Sequence, residues 1–319
     1  MIVQPNALTF SDKKFTMIIY GSPGVGKSTL ALSAPKPLLI DFDRGVSRVK
    51  AYHRCPTIVF NTYDEVKKDL GSPEMKDFET VVIDTGGSFV TCLQNYVMEQ
   101  NPSANRQKNG SISLKGFGAV KVEFERFSTY VRDTLRKNVI FVFHSDEQKD
   151  KDGNPMQRLL CEGSAKNAVW RPADFGGYVQ MIGDKRTISF TPTEEYYAKG
   201  CCGIEGTYNI PNAGPTDKND FLTKLFETAK ENIAKEAEAL EPQREAYNAV
   251  MAEVYKMVDD AKTLPQMNEL VEKLKGMNHA LTSKEESWSL VLARAKELGF
   301  EWNKKEKKFI VPENASAGR

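Results

Sequence analysis

An apolar run at residues 15–20, FTMIIY, stops at GSPGVGKS, and a stretch of helical composition follows from Lys27 to Ala34. A run without polar alternation reads as a strand buried on both faces, as in a parallel sheet. Gly21-Ser22-Pro23-Gly24-Val25-Gly26-Lys27-Ser28 fits GxxxxGK followed by Ser or Thr, and it lies between a strand and a helix. Glycines let such a loop wrap a phosphate with its backbone N–H groups, and the helix start adds the positive end of its dipole. The segment from Gly21 to Thr29 therefore predicts a triphosphate cradle. Lys27 would reach the β- and γ-phosphates, and Ser28 would ligate Mg2+. This feature confines the chain to an α/β fold with strands ending at the cradle.

The chain beyond the cradle repeats the strand–helix alternation. Leu38–Phe42, Thr57–Phe60, Thr80–Ile83 and Val139–Phe143 read as strands, and Val120, Phe124, Phe127, Val131 and Leu135 give residues 120–137 helical spacing. Alternating strands and helices imply a mostly parallel sheet with crossover connections. After residue 143, Met156–Cys161, Tyr178–Ile182 and Thr187–Thr191 read as short strands that extend this sheet in antiparallel fashion. Residues 101–118 read as a polar loop, functional or mobile at that length. From about residue 217 the chain is helical and charged, with Pro242 and Leu264-Pro265 as helix breaks. The expected division is a core over 1–212, a helical linker over 213–241, a small helical C-terminal module over 242–312 and a disordered tail over 313–319.

A P-loop needs a carboxylate at the end of a buried strand to hold magnesium through water. Asp84, ending TVVID, fits that place; a strand-capping Asp is the plainer alternative. Asp41 and Asp43 end the strand after the cradle helix, so either could approach the γ-phosphate and polarise water, or simply cap the DFDRG turn. His144 tips the VIFVF strand at the same rim, as a γ-phosphate sensor or an ordinary polar strand end.

Composition narrows the function classes. The net charge is +1, so any polyanion site must be a local patch rather than a whole-molecule field. The five cysteines and three histidines form neither a disulfide framework nor a zinc pattern, which fits free thiols in a reducing cytoplasm. No signal peptide and no span of ~20 apolar residues is read, so no membrane partner is expected.

Taken together, GSPGVGKST, LLIDFDRG, FETVVIDT, KGFGAV, VIFVFHSDE and RPADFGGYVQMIGDKRTISF resemble the phage-encoded RecA-like nucleotide-binding proteins of single-strand annealing and recombination. The resemblance spans about residues 10–195, and LARAKELGFEWNKKEKKFIV resembles a small module appended to some phage recombination proteins. It implies a RecA-like ATPase using ATP and Mg2+, acting on single-stranded DNA as a homo-oligomeric ring or filament. The catalytic set would be Lys27, Asp43, Asp84 and His144. Asp43 takes the position where this family usually carries Glu. Lys149, Lys151, Arg158, Lys166, Trp170 and Arg171 lie where DNA-binding loops emerge in such folds; basic residues with an aromatic suit a single strand, although nearby acids equally suit a solvated loop. Lys304, Lys305, Lys307 and Lys308, between Trp302 and Phe309, form a second such patch. Arg186 would serve as a trans-acting interface cation or as a strand-end contact.

Two rivals stand beside this reading. A small-molecule kinase or GTPase would share the cradle, though no NKxD or LSGGQ string is present in the expected places. A nucleotide-regulated scaffold or loader would bind a helicase or single-strand-binding protein through the C-terminal module.

Overall fold

A computed structural model describes residues 12–149, 152–161 and 165–312. Contacts divide the chain between Ile233 and Ala234. In the first unit β1 (Thr16–Gly21), α1 (Lys27–Ala31), β2 (Pro37–Asp41), β3 (Thr57–Val59), α2 (Tyr63–Leu70) and β4 (Thr80–Asp84) come first. Then follow α3 (Gly86–Gln100), α4 (Pro102–Asn105), α5 (Leu114–Thr129), β5 (Asn138–Lys149), β6 (Pro155–Leu159) and α6 (Ala165–Trp170). β7 (Phe175–Ile182), β8 (Lys185–Ser189) and β9 (Thr207–Asn209) complete the sheet, and α7 (Phe221–Asp260) crosses the division. The second unit adds α8 (Leu264–Gly276), α9 (Ser283–Glu297), β10 (Glu301–Asn303) and β11 (Lys308–Ile310).

Among the described residues the sheet has nine strands in the order β3-β2-β4-β5-β1-β7-β8-β9, with β6 paired to β5. The run from β3 to β7 is parallel, whereas β6, β8 and β9 join antiparallel. The continuous apolar runs have a simple cause, since successive side chains enter opposite layers. Ile18, Tyr20, Val81, Ile83, Phe141 and Phe143 face the layer that holds Phe89, Leu93, Phe124 and Phe127. Met17, Ile19, Val82, Ile140 and Val142 face the layer that holds Leu30, Leu222 and Phe226. Each such side chain contributes about 1.5–3 kcal/mol on burial, so both faces hold the strands in register.

Three sequence expectations are corrected. β7 is a parallel strand inside the sheet, not part of an antiparallel extension: it pairs with β1 over Met17–Gly21. Its Gly176 and Gly177 hide that burial in the sequence, because Trp170 and Ile188 occupy the space their side chains would take. Residues 101–118 are an ordered helix–turn–helix entry. Asn101 caps α4 through the Ala104 N–H, the Asn105 amide donates to the Val97 carbonyl at 2.7 Å, and Ser113 caps α5 through the Gly116 N–H. Polar residues here satisfy backbone groups rather than solvate a loop.

The third correction concerns the boundaries expected at 212 and 241. Asn219 donates to the Thr29 carbonyl at 3.0 Å, Thr223 donates to the Ser33 carbonyl at 2.9 Å, and Leu222, Leu225, Phe226 and Ala229 pack into the sheet's second layer. The start of α7 thus belongs to the sheet unit. Pro242 lies inside α7 instead of breaking it. The helix runs on through it between good helix formers, despite a local cost of about 3 kcal/mol. Leu264-Pro265 does begin a helix, with Pro265 in the first turn and a Thr263–Gln266 capping box. The tail expected at 313–319 lies outside the described residues.

The second unit has its own core of Val254, Met267, Leu270, Val271, Val291 and Phe309. Trp302 packs edge-on against Trp288 at 4.7 Å and against Phe309 at 5.0 Å. Among the described residues the cysteines form no disulfide. Among the described residues no helix is long and apolar enough to cross a membrane.

Candidate functional site

The carboxyl ends of β1, β2 and β4 come together in register around the middle of β5. Gly21 stands opposite His144, Asp84 opposite Val142, and Asp41 opposite Asp84. The Phe42 N–H donates to the Asp84 carbonyl at 2.9 Å, extending the β2–β4 pairing toward Asp43. Ligands of open α/β sheets bind at this end of the strands.

The loop of residues 21–29 carries its motif for visible steric reasons. A Cβ at Gly21 would collide with the Val179 carbonyl of β7, so only glycine lets the two strands run this close. Gly26 adopts φ 88, in the left-handed region, and hands the chain to α1. Ser22, Pro23 and Gly24 are exposed, Val25 packs on the second layer, and Ser28 and Thr29 are half-buried.

Lys27 is buried, and its ammonium donates to the Ser22 carbonyl at 2.8 Å. It lies 3.4 Å from His144 Nδ1. Burial lowers its pKa to about 8, with the Asp84 carboxylate pushing back. Asp84 is also buried, and burial raises its carboxyl to about 6. The Ser28 hydroxyl donates to it and counters that shift, as does Lys27, whereas Asp43 and Asp41 add to it. Burial and the neighbouring Lys27 lower the His144 pKa, keeping the imidazole neutral at pH 7.

The two acids after β2 divide their tasks. Asp41 is buried and accepts from the Gly45 N–H at 2.7 Å and the Val46 N–H at 2.9 Å. Both of its oxygens serve the turn, so the reading of Asp41 as a group that reaches the phosphate is corrected. Asp43 pairs through Oδ2 with Arg48 at 2.9 Å, while its Oδ1 is buried with no partner. Native structures seldom leave a buried oxygen unsatisfied, and such an atom beside Asp84 is fitted to receive a hydrogen from a ligand. Lys27, the Ser28–Asp84 pair and Asp43 Oδ1 therefore fit a magnesium-bound triphosphate. Ser28 and Asp84 would hold the cation, and Lys27 with the residue 21–29 backbone would hold the phosphates.

Arg186 lies against its own chain's loop, where a Cβ at Gly26 would collide with its Nη1. Its Nη2 donates to Asn212 Oδ1 at 2.6 Å, and its Nε is buried with no partner. Within its own chain Arg186 thus contacts the cradle loop and Asn212. Sequence reasoning missed Arg48 and Asn212, because neither lies in a motif and only folding brings them to Asp43 and Arg186.

The proposed DNA residues scatter. Trp170 packs edge-on against Tyr20 at 6.0 Å, and Arg158 lies 3.2 Å above the Tyr197 ring. Trp170 is thus part of the core rather than a stacking platform, and Arg158 is already stacked. Lys149 and Arg171 are exposed. Lys151 lies outside the described residues, and Lys166 is placed only by its position in α6. In the second unit Trp302 and Phe309 face the aromatic cluster, leaving Lys304, Lys305 and Lys307 exposed on the β10–β11 turn and Lys308 exposed at the start of β11.

A cradle after a central parallel strand, with an acid at the end of β4 and β5 between the two, defines a RecA-like P-loop NTPase fold. The AAA domain family matches residues 13–202, and the chain belongs to that family, with an AAA-type P-loop ATPase domain. It is 23% identical over 292 residues to the SPbeta prophage-derived uncharacterized protein YorG of Bacillus subtilis (strain 168), covering 83% of this chain and 86% of that protein. A solved structure, the flagellar accessory protein FlaH from Methanocaldococcus jannaschii, aligns at a TM-score of 0.31 and 10% identity, over 55% of this chain and 75% of FlaH.

Proposed function

We propose that the protein hydrolyses ATP with Mg2+ and applies that reaction to single-stranded DNA in phage recombination or annealing, as a homo-oligomer. The observation that carries the hydrolytic part is Asp43 Oδ1, a buried acceptor without a partner on a carboxylate whose charge is felt at Asp84 and His144. Magnesium–ATP, when bound, supplies the γ-phosphorus electrophile and the divalent charge that offsets the phosphates. Lys27 contributes an ammonium already stripped of water, where each charge–charge contact is strengthened. Asp43 Oδ1 accepts a hydrogen bond from the attacking water and orients it, while Arg48 fixes the carboxylate through Oδ2. The neutral His144 imidazole, beside Lys27, is placed to hydrogen-bond the phosphate rim.

The DNA part is supported by the prophage origin of the YorG relative and by the exposed lysines of the β10–β11 turn. Lys27→Ala is expected to lower phosphate release from Mg2+–ATP by about 100-fold or more while the thermal melt stays cooperative. Unchanged turnover in that variant would overturn the ATPase reading. Labelled oligonucleotides should give fluorescence anisotropy that rises with protein and falls with salt. No binding at low salt, with or without Mg2+–ATP, overturns the DNA part alone. The alternative is a nucleotide-regulated scaffold or loader that binds a replication or recombination partner through its C-terminal module; slow turnover with no response to DNA would support it.

A further inference from the structure

We propose that Arg186 binds the nucleotide's phosphates in its own chain, with Asn212 as its positioning residue. The inference rests on the ATPase reading above and deepens it. A guanidinium carries five donors in a fixed fork. Here Nη2 is satisfied by Asn212 at 2.6 Å, Nη1 lies against Gly26 of the cradle, and Nε is buried without an acceptor. No carboxylate pairs with Arg186 among the described residues. Partial burial of the guanidinium without a counter-ion costs free energy, which an anion arriving at this point would return.

The support behind Arg186 is built into the sheet. Its backbone carbonyl accepts the Ile210 N–H at 2.8 Å, which carries the chain on to Asn212. The next residue, Ala213, bonds through its carbonyl to His53 Nε2 at 3.2 Å. The arginine and its amide partner are thus held from two sides. They border a cleft of about 760 Å³ that Ser22–Val25, Lys50 and Asp184 also line. Lys50 adds a second cation and Asp184 a single acid, so the cleft beside the loop suits the phosphate and sugar side of a nucleotide.

Competition of ATP, ADP and adenosine against a fluorescent ATP analogue tests the assignment. Arg186→Ala and the longer-chained Arg186→Gln should both weaken ATP and ADP by about tenfold to a hundredfold and leave adenosine unchanged. Asn212→Ala should produce a smaller loss in the same direction. Equal ATP affinity in the wild type and in a folded Arg186 variant overturns the inference while the ATPase reading stands. Failure of the wild type to bind ATP overturns both. Mixing Arg186→Ala with Lys27→Ala separates the two geometries: a residue acting in its own chain gives no recovery of turnover, and recovered turnover would show that the arginine serves a neighbour.

Discussion

The phosphate end of the sheet and the second unit treat polar groups in opposite ways. At the sheet, Lys27 and Asp84 are buried together, and Asp43 Oδ1 and Arg186 Nε are left without partners. In the second unit no buried side-chain polar atom is orphaned among the described residues, and the interior is filled by Met267, Leu270, Val291 and Phe309 around the two tryptophans. Polar groups held in low dielectric without partners cost stability and are retained where a ligand completes them. Apolar packing of the second kind secures a fold and leaves the surface for contacts. Chemistry belongs to the first region, and shape with exposed charge to the second.

The sharpest way to break this contrast is at Asp43. Asp43→Asn should lower kcat by about 10²- to 10⁴-fold with little change in melting, since its ion pair with the largely exposed Arg48 adds about 0–1 kcal/mol. Asp41→Ala should do the reverse, costing about 3 kcal/mol in denaturant titrations by freeing two backbone donors. If both variants behave alike, the division between reacting and structural acids fails. Phe309→Ala should destabilise the second unit by about 3–5 kcal/mol in calorimetry. The ATP turnover of the first unit should survive it, and an equal loss would join what the contrast separates.

The pH dependence gives a smaller, signed effect. Folded Asp84 keeps its proton up to about pH 6, above the ordinary value of 3.8, so the folded chain binds more protons than the unfolded one across that window. Stability therefore falls as pH rises from about 4 to 6, and the full penalty remains above it. Asp84→Asn should thus stabilise the nucleotide-free protein at pH 7 by up to about 3 kcal/mol, lose that advantage near pH 4, and abolish turnover. Lys27 contributes in the opposite window: its penalty is present below about 8 and is relieved as pH rises toward 10.5. Smallest of all, replacing Lys304, Lys305, Lys307 and Lys308 by Gln should flatten the salt dependence of single-strand binding by about 0.7 per lost phosphate contact. An unchanged slope would remove the second unit from the DNA surface.

Much of the site was legible because its signals are local. The cradle motif, Asp84 at the end of an apolar run and His144 at the tip of another each announce themselves within a few residues. Asp41 and Asp43 stood level on the residues alone and only the family resemblance chose Asp43, since one turn decides which carboxylate spends both oxygens on the backbone. Trp170 looked like a stacking residue beside basic neighbours, yet Gly176 opens a slot in β7 that the ring fills. Arg186 read as an interface cation or a strand-end contact, and nothing near it in sequence shows that β8 returns to the cradle.

The sequence by itself determined the buried strands, the cradle and the acids at the strand ends, because side-chain period and loop sterics act over short spans. Only the tertiary structure decided which groups meet. The order β4-β5-β1-β7-β8 brings Asp84, His144, Lys27 and Arg186 from distant parts of the chain to one rim. Burial at that rim then brings the Lys27 and Asp84 pKa values toward each other, because desolvation disfavours the charged form of both.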